Sequence, residues 1–197
     1  MNLNLPQSLK ELSSTPQKNR LAGSWSGAVV VLIIESNFVL IRRSDTMPSH
    51  RGQIGFMGGH KARHEIDPIE TAKREFAEES GFAESVLEVQ GLLNPVITAK
   101  GKVIIPVVAS CSLSLLEFLQ RVKSNGEWDN IIIAPIVYLA RQELWSFGHY
   151  CIDRLYPVYF APLSKKECIY KFESEDSYQL WGASAKMVLN FFNFWKA

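Results

Sequence analysis

The stretch Gly58-Gly59-His60-Lys61-Ala62-Arg63-His64-Glu65-Ile66-Asp67-Pro68-Ile69-Glu70-Thr71-Ala72-Lys73-Arg74-Glu75-Phe76-Ala77-Glu78-Glu79-Ser80-Gly81-Phe82 decides how the chain is read. Asp67 is a capping residue, Pro68 follows where no N–H is needed, and Glu70 supplies an acid in the first turn, which together predict a helix start. Gly81 is placed to end the helix in the left-handed conformation. Residues three and four apart share a helix face. Glu75, Glu78 and Glu79 are therefore expected to project together, with Ala72, Phe76 and Ala77 turned to a core.

Three acids on one stripe repel one another, and Arg74, within reach of Glu70 and Glu78 at four-residue spacing, offsets only part of that repulsion. Hard dications such as Mg²⁺ take oxygen ligands and are commonly held by one or two carboxylates together with substrate phosphates and water. The Gly58-Gly59 turn adds backbone that can approach a ligand closely, and a glycine carbonyl can act as a ligand. Taken alone, the acids also read as a solvated helix face; the glycine turn ahead of them favours phosphate chemistry.

Upstream, residues 44–64 are rich in Gly, Ser, His and Arg and read as irregular loop with one short strand. Arg42, Arg43, Arg51, Lys61 and Arg63 cluster there as a local basic rim for phosphates, with solvated loop charges as the competing account. His50, His60 and His64 fit no familiar metal-ligand spacing and read as hydrogen-bonding or phosphate-contact residues. Earlier still, the β-branched run 28–34, a turn at 35–37 and the run 38–41 predict a hairpin with a buried first strand. A short helix is expected over 5–21, within an N-terminal extension covering residues 1–25.

Downstream, residues 86–93, 102–111, 131–139 and 155–160 are strand candidates, and 180–195 carries the apolar pattern of a closing helix, whose aromatics suit a core or a homodimer contact. No repeat or linker interrupts the 197 residues, so one α+β domain is expected. Lys and Arg total 21 against 20 Asp and Glu, leaving no global field for a nucleic-acid backbone. Cys111, Cys151 and Cys168 form no C-x-x-C pair, which suggests neither a disulfide framework nor a zinc site. The first residues do not read as a secretory signal. The longest apolar run falls far short of the roughly 20 residues that span a bilayer, and a cytoplasmic protein is expected.

Gly59, five residues, Glu65, eight residues and then Arg74-Glu75-Phe76-Ala77-Glu78-Glu79-Ser80-Gly81-Phe82 resembles the Nudix box. The second gap is one residue longer than in the general box, as in the coenzyme A pyrophosphatase branch. A second signature of that branch is resembled by Leu40-Ile41-Arg42-Arg43-Ser44 and Ser49-His50-Arg51-Gly52-Gln53-Ile54-Gly55-Phe56-Met57-Gly58-Gly59. Met57 stands where proline is usual, which would loosen the loop, and Pro48 where arginine is common. The resemblance implies helices around a mixed β-sheet, a Mg²⁺ or Mn²⁺ requirement, and hydrolysis of coenzyme A to phosphopantetheine and adenosine 3′,5′-bisphosphate. It also implies roles by position. Glu75 and Glu79 are metal ligands with Gly59, Glu78 is a further ligand or water orienter, Arg74 orients the glutamates, and Glu65 supports them. Glu127 is a downstream acid that binds metal or acts as general base, with a loop-tip charge as the plain alternative. Gly58, Arg43, His50, Arg51 and Lys61 would contact substrate. Another nucleoside diphosphate derivative, or a non-catalytic ligand-binding module of the same fold, are the other readings.

Overall fold

The computed structural model describes residues 24–151, 155–172 and 177–195. The helix expected over 5–21 lies outside them. The first apolar run forms β1 (Gly27–Ile34), and the chain turns at Glu35 and Ser36, with φ of 48° and 63°, into β2 (Asn37–Arg43). Two successive left-handed residues give the turn a twist that matches a hairpin. Within the glycine-rich stretch, β3 (Ile54–Gly55) pairs with β2 and β4 (Gly58–His60) pairs with β1. The helix α1 (Pro68–Ser80) leads to β5 (Leu87–Leu92), β6 (Val96–Ile97) and β7 (Val103–Cys111). Then come α2 (Leu115–Arg121), β8 (Trp128–Pro135) and a single turn, α3 (Ile136–Leu139). The remaining elements are β9 (Ser146–Cys151), β10 (Leu155–Leu163), β11 (Ile169–Tyr170), β12 (Tyr178–Trp181) and α4 (Gly182–Trp195).

The larger sheet has the order β11-β8-β2-β1-β7-β5, with β1 parallel to β7 and antiparallel to β2, and the smaller sheet has the order β12-β10-β9. Alternation along β1 divides one apolar run between two cores. Ala28, Val30 and Leu32 join Phe76 of α1 and Phe118 of α2, while Val31 and Ile33 join Phe191 of α4. β2 and β8 do the same, with Val39, Ile41, Ile131 and Ile133 on the α1 side and Phe38, Leu40, Ile132 and Ala134 on the α4 side. A strand covered on both faces has no polar side to keep, which is why these stretches are continuously apolar. Phe38 meets Phe191 edge-on with centroids 5.1 Å apart, fixing α4 to the centre of the sheet. A mixed sheet between helices is the α+β architecture expected.

Several elements differ from the sequence reading. Residues 131–139 do not form one strand. β8 ends at Pro135, opposite Asn37 at the start of β2, so no strand lies alongside beyond it. The chain turns into α3 instead, and the Ile136 N–H donates to the Ser36 carbonyl at 3.0 Å. The closing helix begins at Gly182, because residues 180–181 belong to β12 and pair with β10. Residues 44–64 hold two short strands rather than one. Met57 does not loosen its loop. Its side chain is buried in the α1-side core and its carbonyl accepts the Val30 N–H at 2.8 Å. No helix among the described residues is long and apolar enough to cross a membrane.

Candidate active site

α1 begins and ends where its sequence dictates. The Asp67 side chain accepts the Ile69 N–H at 2.9 Å, Pro68 opens the first turn, and Gly81 closes the helix at φ 73° with its N–H on the Ala77 carbonyl. Phe76 is fully buried and anchors the helix against the sheet. This sets the rotation of α1 so that Glu75 and Glu79, one turn apart, face the glycine turn at β4.

The two glycines of that turn have different reasons to be glycine. At Gly58 the backbone is left-handed, with φ 149°, and a Cβ would overlap Val29 and the Ala28 carbonyl of β1. At Gly59 a Cβ would enter the Glu75 carboxylate. The absence of side chains thus lets β4 lie directly on the acids. The Gly58 N–H donates to Glu79 Oε2 at 3.2 Å, and the Gly59 carbonyl oxygen lies against Gly27 of β1.

Glu75, Glu78 and Glu79 do not share one environment. Glu79 is 1% exposed, Glu75 is half-buried, and Glu78 points outward to solvent and Arg74. A helix advances about 100° per residue, so neighbours Glu78 and Glu79 are well separated in direction, and β4 covers only the Glu75–Glu79 line. Arg74 serves the whole group. Its Nε donates to Glu65 at 2.8 Å, its Nη1 to Glu78 at 3.1 Å, and its Nη2 to the His60 carbonyl at 3.0 Å beside Glu75 at 2.9 Å. The contact with Glu70 allowed by spacing is not made. Glu65 is buried and also accepts from the Thr71 hydroxyl at 2.5 Å and the Ala62 N–H at 2.7 Å. Burial would raise its pKa, but these donors together outweigh it and hold the carboxyl down at about 2. Arg74, surrounded by acids, is held still more firmly charged than usual.

At the inner pair the balance is reversed. Burial raises the Glu75 pKa against the opposing pull of Arg74, and Glu78 and Glu127 add to the rise. Burial, then the charge of Glu127, pushes Glu79 up to about 8 despite the Gly58 N–H and Arg43. Glu79 Oε1 is buried and accepts no hydrogen bond. A buried carboxylate oxygen without a donor is unfavourable unless a cation meets it, so the pair fits a hard dication. No three His, Cys, Asp or Glu side chains among the described residues form a ready ligand cage. Two carboxylates would leave much of an octahedral shell open to phosphate oxygens and water.

Glu127, remote in sequence, reaches this site from the start of β8. It lies 3.8 Å from Arg43 Nη2 and receives Asn125 Nδ2 at 3.2 Å, and its charge is felt at both Glu75 and Glu79. Arg43 meets Glu127 and its charge also acts on Glu79, while its Nε is buried without a partner among the described residues. Three other residues expected to contact substrate are engaged elsewhere. His50, at φ 59°, pairs with Gln53 at 2.9 Å, Arg51 Nε donates to the Met47 carbonyl at 2.7 Å, and Lys61 sits 4.5 Å over the Trp25 ring. No contact among the described residues joins these three to the glutamates. Two residues that the sequence reading did not single out hold the site in place. Thr71 fixes Glu65, and the buried Trp128 donates its Nε1–H to the Glu79 carbonyl at 2.7 Å. An indole beside Glu127 was the available signal for the second.

The chain is 37% identical over 90 residues to a Yersinia enterocolitica protein named Uncharacterized Nudix hydrolase NudL, covering 44% of this chain and 46% of that one. It is 29% identical over 111 residues to the human Mitochondrial coenzyme A diphosphatase NUDT8, covering 56% of this chain and 46% of that protein. The chain therefore spans about half the length of the curated relatives it matches. Among solved structures, a C. elegans Ap4A hydrolase binary complex aligns with TM-score 0.47 and 17% identity, covering 56% of this chain and 80% of that one. A profile of the NUDIX domain matches residues 25–128, which run from the start of the hairpin through Glu127, and on that match the chain belongs to the Nudix family.

Proposed function

We propose that the protein is a divalent-metal-dependent pyrophosphatase acting in the cytoplasm on coenzyme A or acyl-coenzyme A. The products would be (acyl)phosphopantetheine and adenosine 3′,5′-bisphosphate. The observation that carries the metal-dependent reading is the orphaned oxygen of Glu79 beside Glu75, pressed against a turn that only glycine can make. The branch signature at residues 40–44 and 49–59 supports the substrate, as does the likeness to a protein named for coenzyme A diphosphatase activity.

Glu75 and Glu79 would hold Mg²⁺ or Mn²⁺, with Glu78 and the Gly59 carbonyl as further oxygen donors. A bound dication supplies charge stabilisation at the diphosphate and lowers the pKa of an attacking water. Arg74 would fix the glutamate rotamers and offset part of the burial that disfavours a charged Glu75. Arg43, whose charge acts on Glu79 and which lies 3.8 Å from Glu127, would offer its guanidinium to a phosphate oxygen. Glu127, half-exposed beside Arg43, would bind metal or accept a proton from water as general base. Gly58 would present its backbone to the substrate, and His50, Arg51 and Lys61 would reach it only by leaving their present partners.

Product analysis on coenzyme A with Mg²⁺ or Mn²⁺ tests the assignment, and phosphopantetheine is the expected product. Pro48, in place of an arginine common in that branch, favours a second reading in which a dinucleotide or nucleotide sugar is cut instead. A substrate panel separates the two. Glu79→Gln should lower turnover by about a hundredfold or more while leaving the circular dichroism spectrum unchanged. Full activity in that variant would reject the catalytic assignment.

A further inference from the structure

Lys102 and His60 form a basic pair that the proposed reaction does not use. Lys102 Nζ lies 2.7 Å from His60 Nε2, and both residues are exposed. A lysine ammonium has only donors, so Nε2 accepts and the ammonium keeps two N–H groups free for an incoming anion. Neither residue takes part in an ion pair among the described residues. The backbone of the lysine is held firmly. Its N–H bonds the Thr98 hydroxyl at 3.1 Å, and its carbonyl receives the Thr98 N–H at 2.9 Å, closing the turn between β6 and β7.

The position of the pair is specific. His60 follows Gly59, about 3.8 Å away along the backbone, and its carbonyl is bound by Arg74. Successive residues of a strand point to opposite faces, and the Gly59 Cβ position is filled by the Glu75 carboxylate. The His60 side chain therefore leaves β4 on the face away from the glutamates. An anion at Lys102 would therefore be a group other than the diphosphate held at Glu75 and Glu79.

We propose that Lys102, anchored by His60, is a subsite for a phosphomonoester carried on the nucleoside part of the diphosphate substrate. The proposal rests on the diphosphatase reading for its biological setting, and its test does not depend on turnover. Adenosine 3′,5′-bisphosphate, adenosine 5′-monophosphate and inorganic phosphate would each be titrated calorimetrically into the full chain with Mg²⁺. The bisphosphate should bind about tenfold more tightly than the monophosphate, as expected for one added charge-assisted contact. Lys102→Met should bring that ratio close to one, and Lys166→Met, an exposed control, should leave it intact. Equal affinities in the unaltered protein, a ratio unchanged by Lys102→Met, or inorganic phosphate binding as tightly as the bisphosphate would each overturn the subsite. Failure of the diphosphatase reading would show separately, as no hydrolysis of any nucleoside diphosphate derivative by the unaltered chain.

Discussion

Glu79 keeps one carboxylate oxygen on the Gly58 N–H and the other in a buried space without a donor. Its unfolded form ionises near 4.5 and its folded form near 8. Between those values the metal-free folded chain holds a proton that the unfolded chain has lost, so stability falls as pH rises through the window. The expected loss is on the order of 5 kcal/mol, read by urea melts in chelator across that range, and Glu79→Gln should flatten the slope. Glu65 behaves in the opposite sense. Its pKa is depressed to about 2, so its contribution is present above the ordinary carboxylate value and is lost as pH falls toward 2. Glu65→Ala removes the buried partner of Arg74 Nε and should destabilise the protein by about 3 kcal/mol in denaturant titrations, with activity reduced further because Arg74 is no longer aimed. That Glu75 and Glu79 lie along one side of α1 was legible from their spacing. The outward turn of Glu78 was not, because it depends on which side of α1 the β4 backbone covers.

At the scale of elements, the glycine turn and the hairpin invite contrasting substitutions. Gly58→Ala would force a Cβ into the β1 backbone, whereas at Gly101 nothing lies within 4 Å and only the positive φ of 76° opposes a side chain. Gly101→Ala should therefore lower stability by about 1 kcal/mol, and Gly58→Ala by about 3 kcal/mol or more, measured as shifts in urea midpoint. Glu35 and Ser36 occupy a turn that favours glycine, and Ser36→Gly should raise stability by about 0.5–1 kcal/mol in the same assay. α1, β1, β2 and β7 could be read in the sequence because caps, turns and apolar runs mark them locally. β9 could not. Its residues, Ser146-Phe147-Gly148-His149-Tyr150-Cys151, mix polar and apolar types around a glycine, and the strand exists by pairing with β10. β12 was hidden for a related reason, since its four residues run directly into α4 and continue the apolar pattern of that helix.

For the whole molecule, the sheet separates two cores that answer to different helices. Phe191 is fully buried against Phe38 on the side away from α1. Phe191→Ala should lower stability by about 3–5 kcal/mol in denaturant titrations while leaving the glutamate geometry on the other face untouched, so that activity per folded molecule is retained. Trp128 and Glu127, adjacent in the chain, show why long-range parts of the site were hard to read. Trp128 bonds α1, and Glu127 meets Arg43, only because β8 is the neighbour of β2, a relation that no local pattern records.

The parallel pairing of β1 with β7, from Gly27 opposite Ile104 to Ile33 opposite Ser110, also has a bearing on the order of assembly. The β1–β2 hairpin closes over a two-residue loop and can zip early, but its other edge waits for a strand made much later in translation. Until that strand arrives, β1 has an open flank, and α1 has only half of the wall it packs on. Closure of this long loop is therefore expected to limit the rate of folding, and a nascent chain stalled before β7 would expose an adhesive edge for chaperones to shield.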